Sequence, residues 1–230
     1  MNEYEIKIIT KNNVPVNVDN PILKYEKDKN RKNNFLRVEI KKGIYKIGIG
    51  IILDFYNKFT ITSSQYTHVM EKTNIGKKVY KLKYYKNPPL DKNIREKYIK
   101  EFSETFKNFI KKSKKQNLVI TYVPSSSVIP KEIALMLGNL TNTNVEEIIT
   151  INNNDVTMKD SKDIEQAIKN AKKKYKINSN LVDKNTCYII IDDIMGTGAS
   201  IITILEKLYE ITGKYNVFLF WQRMRKDEHT

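Results

Sequence analysis

The chain has 230 residues, and its 41 Lys and Arg against 26 Asp and Glu give a net charge of +15. A hydrophobic fraction of 40% supports a real core, sized for one large domain or a smaller domain with an appendage. The single cysteine, Cys187, excludes an internal disulfide and a cysteine-built zinc site. The positive excess points to anionic partners, either phosphorylated metabolites or nucleic acid, although abundant Lys, Asn, Ile and Tyr also fit an A/T-rich coding bias. Met1 to Lys7 has no basic region followed by an apolar core, so no signal peptide is expected. No apolar run approaches the roughly 18 residues of a membrane span. A reducing cytoplasm is the expected setting for the lone thiol.

Residues 1–88 read as β-rich, with strand-like runs at 4–9, 35–40, 44–53 and 79–85. Lys41-Lys42-Gly43 is a hairpin turn between two of them. Gly48 and Gly50 lie inside the third run without the third glycine of a dinucleotide fingerprint, which predicts a bulge or close packing. Residues 19–34 are polar and charged, a loop or excursion. Asn87-Pro88-Pro89 is the expected boundary, with a β-rich region over 1–88 and an α/β domain over 89–230.

Beyond it, 91–115 has the apolar stripe of an amphipathic helix: Ile94, Tyr98, Phe102, Phe106, Phe109 and Ile110. Residues 118–123 form a buried-strand run ending in Pro124, Ser125, Ser126 and Ser127, and a helix with Pro130 in its first turn follows. Residues 145–151 make a short strand. The polar stretch 152–163, with Lys159 and Lys162, lacks periodicity and is expected to be a loop. Residues 164–175 read as a helix whose lysines form a solvated face.

From Cys187 to Ile191 the chain is apolar, β-branched or aromatic, as a parallel strand buried on both faces requires. Asp192 and Asp193 follow, then Met195, Gly196, Thr197, Gly198, Ala199 and Ser200. A helical stripe runs from Ile201 to Ile211, and Gly213 stands where a left-handed cap is expected. A last strand, 216–221, ends in Trp221. Successive strand–loop–helix units predict an α/β fold with a parallel sheet, its ligands outside the carboxyl ends of the strands.

The chemistry of 192–200 is specific. A glycine turn lets backbone N–H groups crowd a phosphate, and the helix that follows adds unsatisfied donors and the positive end of its dipole. Carboxylates just before it can accept hydrogen bonds from vicinal hydroxyls or hold Mg2+. Phosphate at one end and a diol at the other describe a ribose 5-phosphate. A P-loop is excluded because no Lys-Ser/Thr follows the second glycine.

The run Ile189-Ile190-Ile191-Asp192-Asp193-Ile194-Met195-Gly196-Thr197-Gly198-Ala199-Ser200 resembles the phosphoribosyl-pyrophosphate (PRPP) signature of the type I phosphoribosyltransferases, and the likeness extends over about 92–225. It implies a Rossmann-like core and a Mg2+-dependent pentosyl transfer from PRPP to a small-molecule acceptor with release of pyrophosphate. By the same resemblance Asp192 and Asp193 bind the ribose hydroxyls and serve Mg2+ indirectly or through PRPP. Met195 to Ser200 enclose the 5-phosphate. Pro124, Ser125, Ser126 and Ser127 hold pyrophosphate, and Lys159 and Lys162 belong to the loop that closes over PRPP. Apart from the resemblance, Trp221 at the ligand-side end of the last strand is a candidate for stacking on a base, with plain packing as the commoner reading. The family's pyrophosphate loop often carries a basic residue, which leaves backbone amides, serine hydroxyls or Lys131 to act here. Gly196 stands where purine-salvage members have an aspartate, which argues against hypoxanthine or guanine as acceptor. The layout is closest to competence-associated phosphoribosyltransferase-like proteins, without their cysteine-rich zinc segment. A homodimer is compatible with the family. The rival reading is a PRPP or nucleotide sensor, or a nucleic-acid-binding protein, on the same fold.

Overall fold

A computed structural model of the chain describes residues 4–9, 15–16, 35–55, 57–63, 66–85, 88–110, 117–152 and 163–223. An eight-stranded sheet organises them, in the order β2-β1-β3-β4-β12-β11-β7-β8. Its strands are β1 (Tyr4–Ile9), β2 (Pro15–Val16), β3 (Leu36–Lys42), β4 (Tyr45–Phe55), β7 (Asn117–Tyr122), β8 (Asn144–Val145), β11 (Thr186–Met195) and β12 (Asn216–Arg223). The five strands from β4 to β8 are parallel, whereas β2, β1 and β3 are antiparallel additions at the edge beyond β4. Two small antiparallel pairs stand apart: β5 (Asn57–Ser63) with β6 (Tyr66–Lys72), and β9 (Ile149–Ile151) with β10 (Tyr175–Ile177).

Among the described residues five α-helices cover the sheet: α1 (Asn74–Tyr84), α2 (Lys92–Ile110), α3 (Ile129–Thr141), α4 (Ile164–Lys174) and α5 (Ala199–Thr212). Successive strand residues point to opposite faces, so β11 divides the core in two. Tyr188 and Ile190 pack with Ala167 and Ala171 of α4 and with Ile201, Leu205 and Leu208 of α5. Ile189 and Ile191 pack with Val79 and Leu82 of α1, Phe102 and Phe106 of α2, and Ile133 and Leu137 of α3. The result is three layers, α/β/α. Among the described residues no helix is long and apolar enough to cross a membrane.

Several expectations need correction. Residues 79–85 are the end of a helix, α1, and not a strand. Thr73 caps it by accepting the Gly76 N–H at 2.9 Å, and Gly76, Val79 and Leu82 fall three apart on its buried face. That spacing is helical, although Val79-Tyr80 taken alone suggests β. The prolines at 88 and 89 do not divide the sheet, because β4 and β12, from either side of them in sequence, are hydrogen-bonded neighbours. Residues 145–151 form no single strand: β8 ends the large sheet and β9 pairs elsewhere with β10.

The predicted hairpin is present, with Gly43 at φ +55° between paired Lys42 and Tyr45. Gly48 and Gly50 do mark close packing: a Cβ on Gly50 would lie 2.2 Å from the Phe218 ring, and one on Gly48 would lie 2.3 Å from Leu205 Cδ1. The register also shifts beside Gly48, between Ile40 and Lys41.

Candidate functional site

The order of the parallel strands creates one special place. From β7 the chain passes through α3 to β8, on the α1–α3 side of the sheet; from β11 it passes through α5 to β12, on the other side and in the opposite direction. The carboxyl ends of β7 and β11 therefore flank a topological switch point, where open α/β sheets leave a crevice. The serine loop leaves β7 there and the glycine loop leaves β11 there. The last residue pair between these strands is Ile191 with Tyr122, and the Val123 N–H donates to the Ile191 carbonyl at 2.9 Å.

β11 outruns β7 and carries Asp192 to Met195 beyond that pair, so the acidic residues belong to the strand itself. Both acids are buried, Asp192 at 8% and Asp193 at 6% exposure. Asp192 Oδ1 accepts the Asp193 N–H at 2.8 Å, and Asp193 Oδ1 accepts the Ile194 N–H at 2.6 Å. The alternation of the strand separates their side chains. Asp192 turns toward the α5 face and Asp193 toward the α1 face, where Lys83 Nζ lies 2.6 Å from Asp193 Oδ2. Burial, and next the charge of Asp193, push the Asp192 carboxyl well above its ordinary range, against smaller opposing effects of the Asp193 N–H and Lys83.

The loop after β11 is short. Met195 ends the strand buried in the core, so its backbone alone faces the turn. Gly196 and Thr197 are exposed, and no atom of the described residues lies within 4 Å of where a Gly196 Cβ would stand. Gly198 has φ +84°, a left-handed conformation that favours glycine, and a Cβ there would come within 2.9 Å of Ile6 Cδ1 and Met195 Cε. The first helical bond of α5 runs from the Ile202 N–H to the Gly198 carbonyl, so the N–H groups of Ala199, Ser200 and Ile201 are not used by the helix. Thr197 Oγ1 accepts from Ala199 at 3.4 Å. Ser200 is half-buried, and its side chain lies close enough to the Tyr175 hydroxyl to lower that group's pKa.

Tyr175 is a residue that sequence reasoning missed, hidden in a stretch read as helix. It opens β10 and is buried; burial raises its hydroxyl pKa, the nearby Ser200 side chain lowers it, and the charges of Asp192 and Asp193 raise it further, for a net increase. Lys83 was missed for the same reason, within a run read as a strand. Asp54, buried near the end of β4, stands at the same edge of the sheet, two strands from β11.

The serine loop is folded on itself. Ser125 Oγ donates to the Ser127 carbonyl at 3.0 Å and accepts the Ser127 N–H at 3.1 Å, while Ser127 Oγ lies 3.4 Å from the Ile129 N–H at the start of α3. Ser125 and Ser126 are exposed and Pro124 is half-buried. Lys131 is engaged with Glu147 and Tyr122: its ammonium sits 3.7 Å from Glu147 Oε2 and over the Tyr122 ring, and Tyr122 itself donates to Glu147 at 2.6 Å. Lys159, Lys162 and the side chain of Trp221 lie outside the described residues.

For Mg2+ the fit is poor on the protein side. The Asp193 oxygens already have the Ile194 N–H and Lys83, and one Asp192 oxygen has the Asp193 N–H. Among the described residues no three His, Cys, Asp or Glu side chains gather as a metal site. No protein-family model matches the chain, and no curated protein matches it significantly.

Proposed function

We propose that the crevice between β7 and β11 binds the ribose 5-phosphate portion of PRPP, and that the protein is a phosphoribosyltransferase. The observation that carries this reading is the order along β11 and α5: a buried acid, a glycine turn with a left-handed Gly198, and an uncapped helix start, all at the switch point. Gly196, Thr197, Gly198, Ala199 and Ser200, with the Met195 backbone, supply donors to the 5-phosphate. Asp192 faces the same side and meets the ribose hydroxyls. A buried carboxyl with a raised pKa can accept from one hydroxyl and, when protonated, donate to the other.

Pyrophosphate would lie toward residues 124–127, with Mg2+ arriving as part of the PRPP substrate. Transfer breaks the C1–O bond toward an oxocarbenium-like state as pyrophosphate leaves, and the acceptor attacks C1. Chemistry of this kind needs positioning and electrostatic stabilisation more than a protein nucleophile. The β5–β6 hairpin follows β4 from the edge of the sheet where the crevice opens, which suits it to cover an acceptor.

One observation favours a sensor that binds PRPP without transfer: the serine loop offers no cation, since Lys131 is held by Glu147. Pyrophosphate release from PRPP and Mg2+ over a panel of bases and amines decides between them. Release with any acceptor supports the transferase; calorimetric binding with no release supports the sensor; no binding refutes both.

A further inference from the structure

The second acid of the pair makes a contact that ribose recognition does not explain. We propose that Lys83 is the resident cation of the Asp192–Asp193 pair: a positioning residue that fixes Asp193 and stands where a divalent ion would otherwise be needed. This rests on the ribose-phosphate reading above.

The oxygen inventory leads there. Asp193 Oδ1 is taken by the Ile194 N–H at 2.6 Å, and Asp193 Oδ2 has Lys83 Nζ at 2.6 Å. That oxygen is buried and has no aligned hydrogen bond, so the contact is ionic, and among the described residues nothing else compensates it. Asp192 Oδ1 is taken by the Asp193 N–H, and Asp192 Oδ2 has no hydrogen-bond partner among the described residues. The pair is thus divided. Asp193 is tied down on the α1 face, and Asp192 keeps an oxygen for a ligand on the α5 face.

The lysine is placed by its helix. Val79 and Leu82 anchor α1 in the core, Thr73 caps its start, and Lys83 follows Leu82 with its side chain only 20% exposed. From the other elements around the acids come the Tyr175 hydroxyl on β10 and the Ser200 hydroxyl on α5, neither of them a cation. A divalent ion needs oxygen ligands at about 2.1 Å in near-octahedral order, so to use Asp193 Oδ2 it must first displace the ammonium. Lys83 supplies positive charge to the acids with no metal coordinated to the protein. Metal, in this account, enters only with a ligand that carries pyrophosphate.

Ribose 5-phosphate carries none, which makes it the informative probe. Its binding is measured by calorimetry in EDTA and in Mg2+ for the wild type, Lys83→Met and Lys83→Arg, with circular dichroism to show each is folded. Wild type is expected to bind equally in both media. Lys83→Met should lose about tenfold or more in EDTA and recover part of that in Mg2+, as the vacated place admits a cation. Lys83→Arg should stay close to wild type, an outcome that lost packing alone does not produce. The inference is overturned if wild type requires Mg2+, or if folded Lys83→Met binds like wild type in EDTA; the ribose-phosphate reading survives either result. Absence of wild-type binding in both media overturns the two together.

Discussion

Gly196 and Gly198 stand two residues apart in the same loop, and the structure assigns them opposite responses to one added methyl group. At Gly198, alanine must adopt φ +84°, which costs a residue with a Cβ about 1–2 kcal/mol. Its methyl would also stand 2.9 Å from Ile6 Cδ1 and Met195 Cε, both ends of flexible side chains that can yield, so packing adds little. For a chain of this size a loss of about 1–2 kcal/mol lowers Tm by about 2–8 °C. At Gly196 the methyl meets no atom of the described residues within 4 Å and φ is not positive, so Gly196→Ala should keep Tm within about 1 °C. Ligand affinity should separate them again: Gly196→Ala loses PRPP binding with stability intact if the turn's backbone crowds a phosphate. Calorimetric scanning and PRPP titration of both variants are the assays. A Gly198→Ala protein as stable as wild type would refute the loop conformation, and unimpaired PRPP binding by Gly196→Ala would remove that backbone from the phosphate site.

Three other expectations follow from the packing and the charges. Asp192→Asn should abolish PRPP binding yet melt at or above the wild-type temperature at neutral pH; because the folded pKa of Asp192 is raised, its charge destabilises the fold as pH rises above the ordinary 3.8, and the difference should shrink in acid. Glu206 on α5 is buried and paired with Lys42, with Lys172 at 2.9 Å and with the Tyr4 hydroxyl at 2.9 Å. Both lysines keep partial exposure, so urea denaturation of Glu206→Ala should show a loss of about 1–3 kcal/mol, less than for a fully buried pair. Burial alone would raise the Glu206 pKa, but bonds from Lys42, Lys172 and Tyr4 outweigh it and lower the net value, so its contribution is present above the ordinary 4.5 and lost as pH falls below that. The gap between wild type and Glu206→Gln should therefore close as pH drops through this range. Gly50→Ala should cost about 1–3 kcal/mol by forcing a methyl against the Phe218 ring, measurable in the same denaturation assay.

Residues whose local pattern and tertiary role agree could be read from the chain alone. The Cys187-to-Ile191 run is buried on both faces because helices cover both, and its apolar continuity says so. Gly213 caps α5 at φ +66°, where a residue without a Cβ was expected. What escaped depends on contacts far apart in sequence. Val79-Tyr80 has β propensity, yet Thr73 and the Gly76, Val79, Leu82 spacing, which extend upstream of that window, make it helical. The union of β4 with β12 cannot be seen across the two prolines, because strand order is set by which faces need covering and not by neighbours in sequence. Nor did the adjacent acids betray their division: it requires β11 to continue through Asp193, with Asp192 in register with Phe220 of the α5-side core and Asp193 against Lys83 of α1.

The central claim concerns one crevice and one sugar phosphate, and calorimetric titration of PRPP with Mg2+ into the wild-type protein and folded Asp192→Asn tests it directly. The account predicts one site per chain, saturating between about 1 μM and 1 mM for the wild type, with no measurable heat of binding for the variant. Equal binding by both proteins, or none by the wild type, would contradict it.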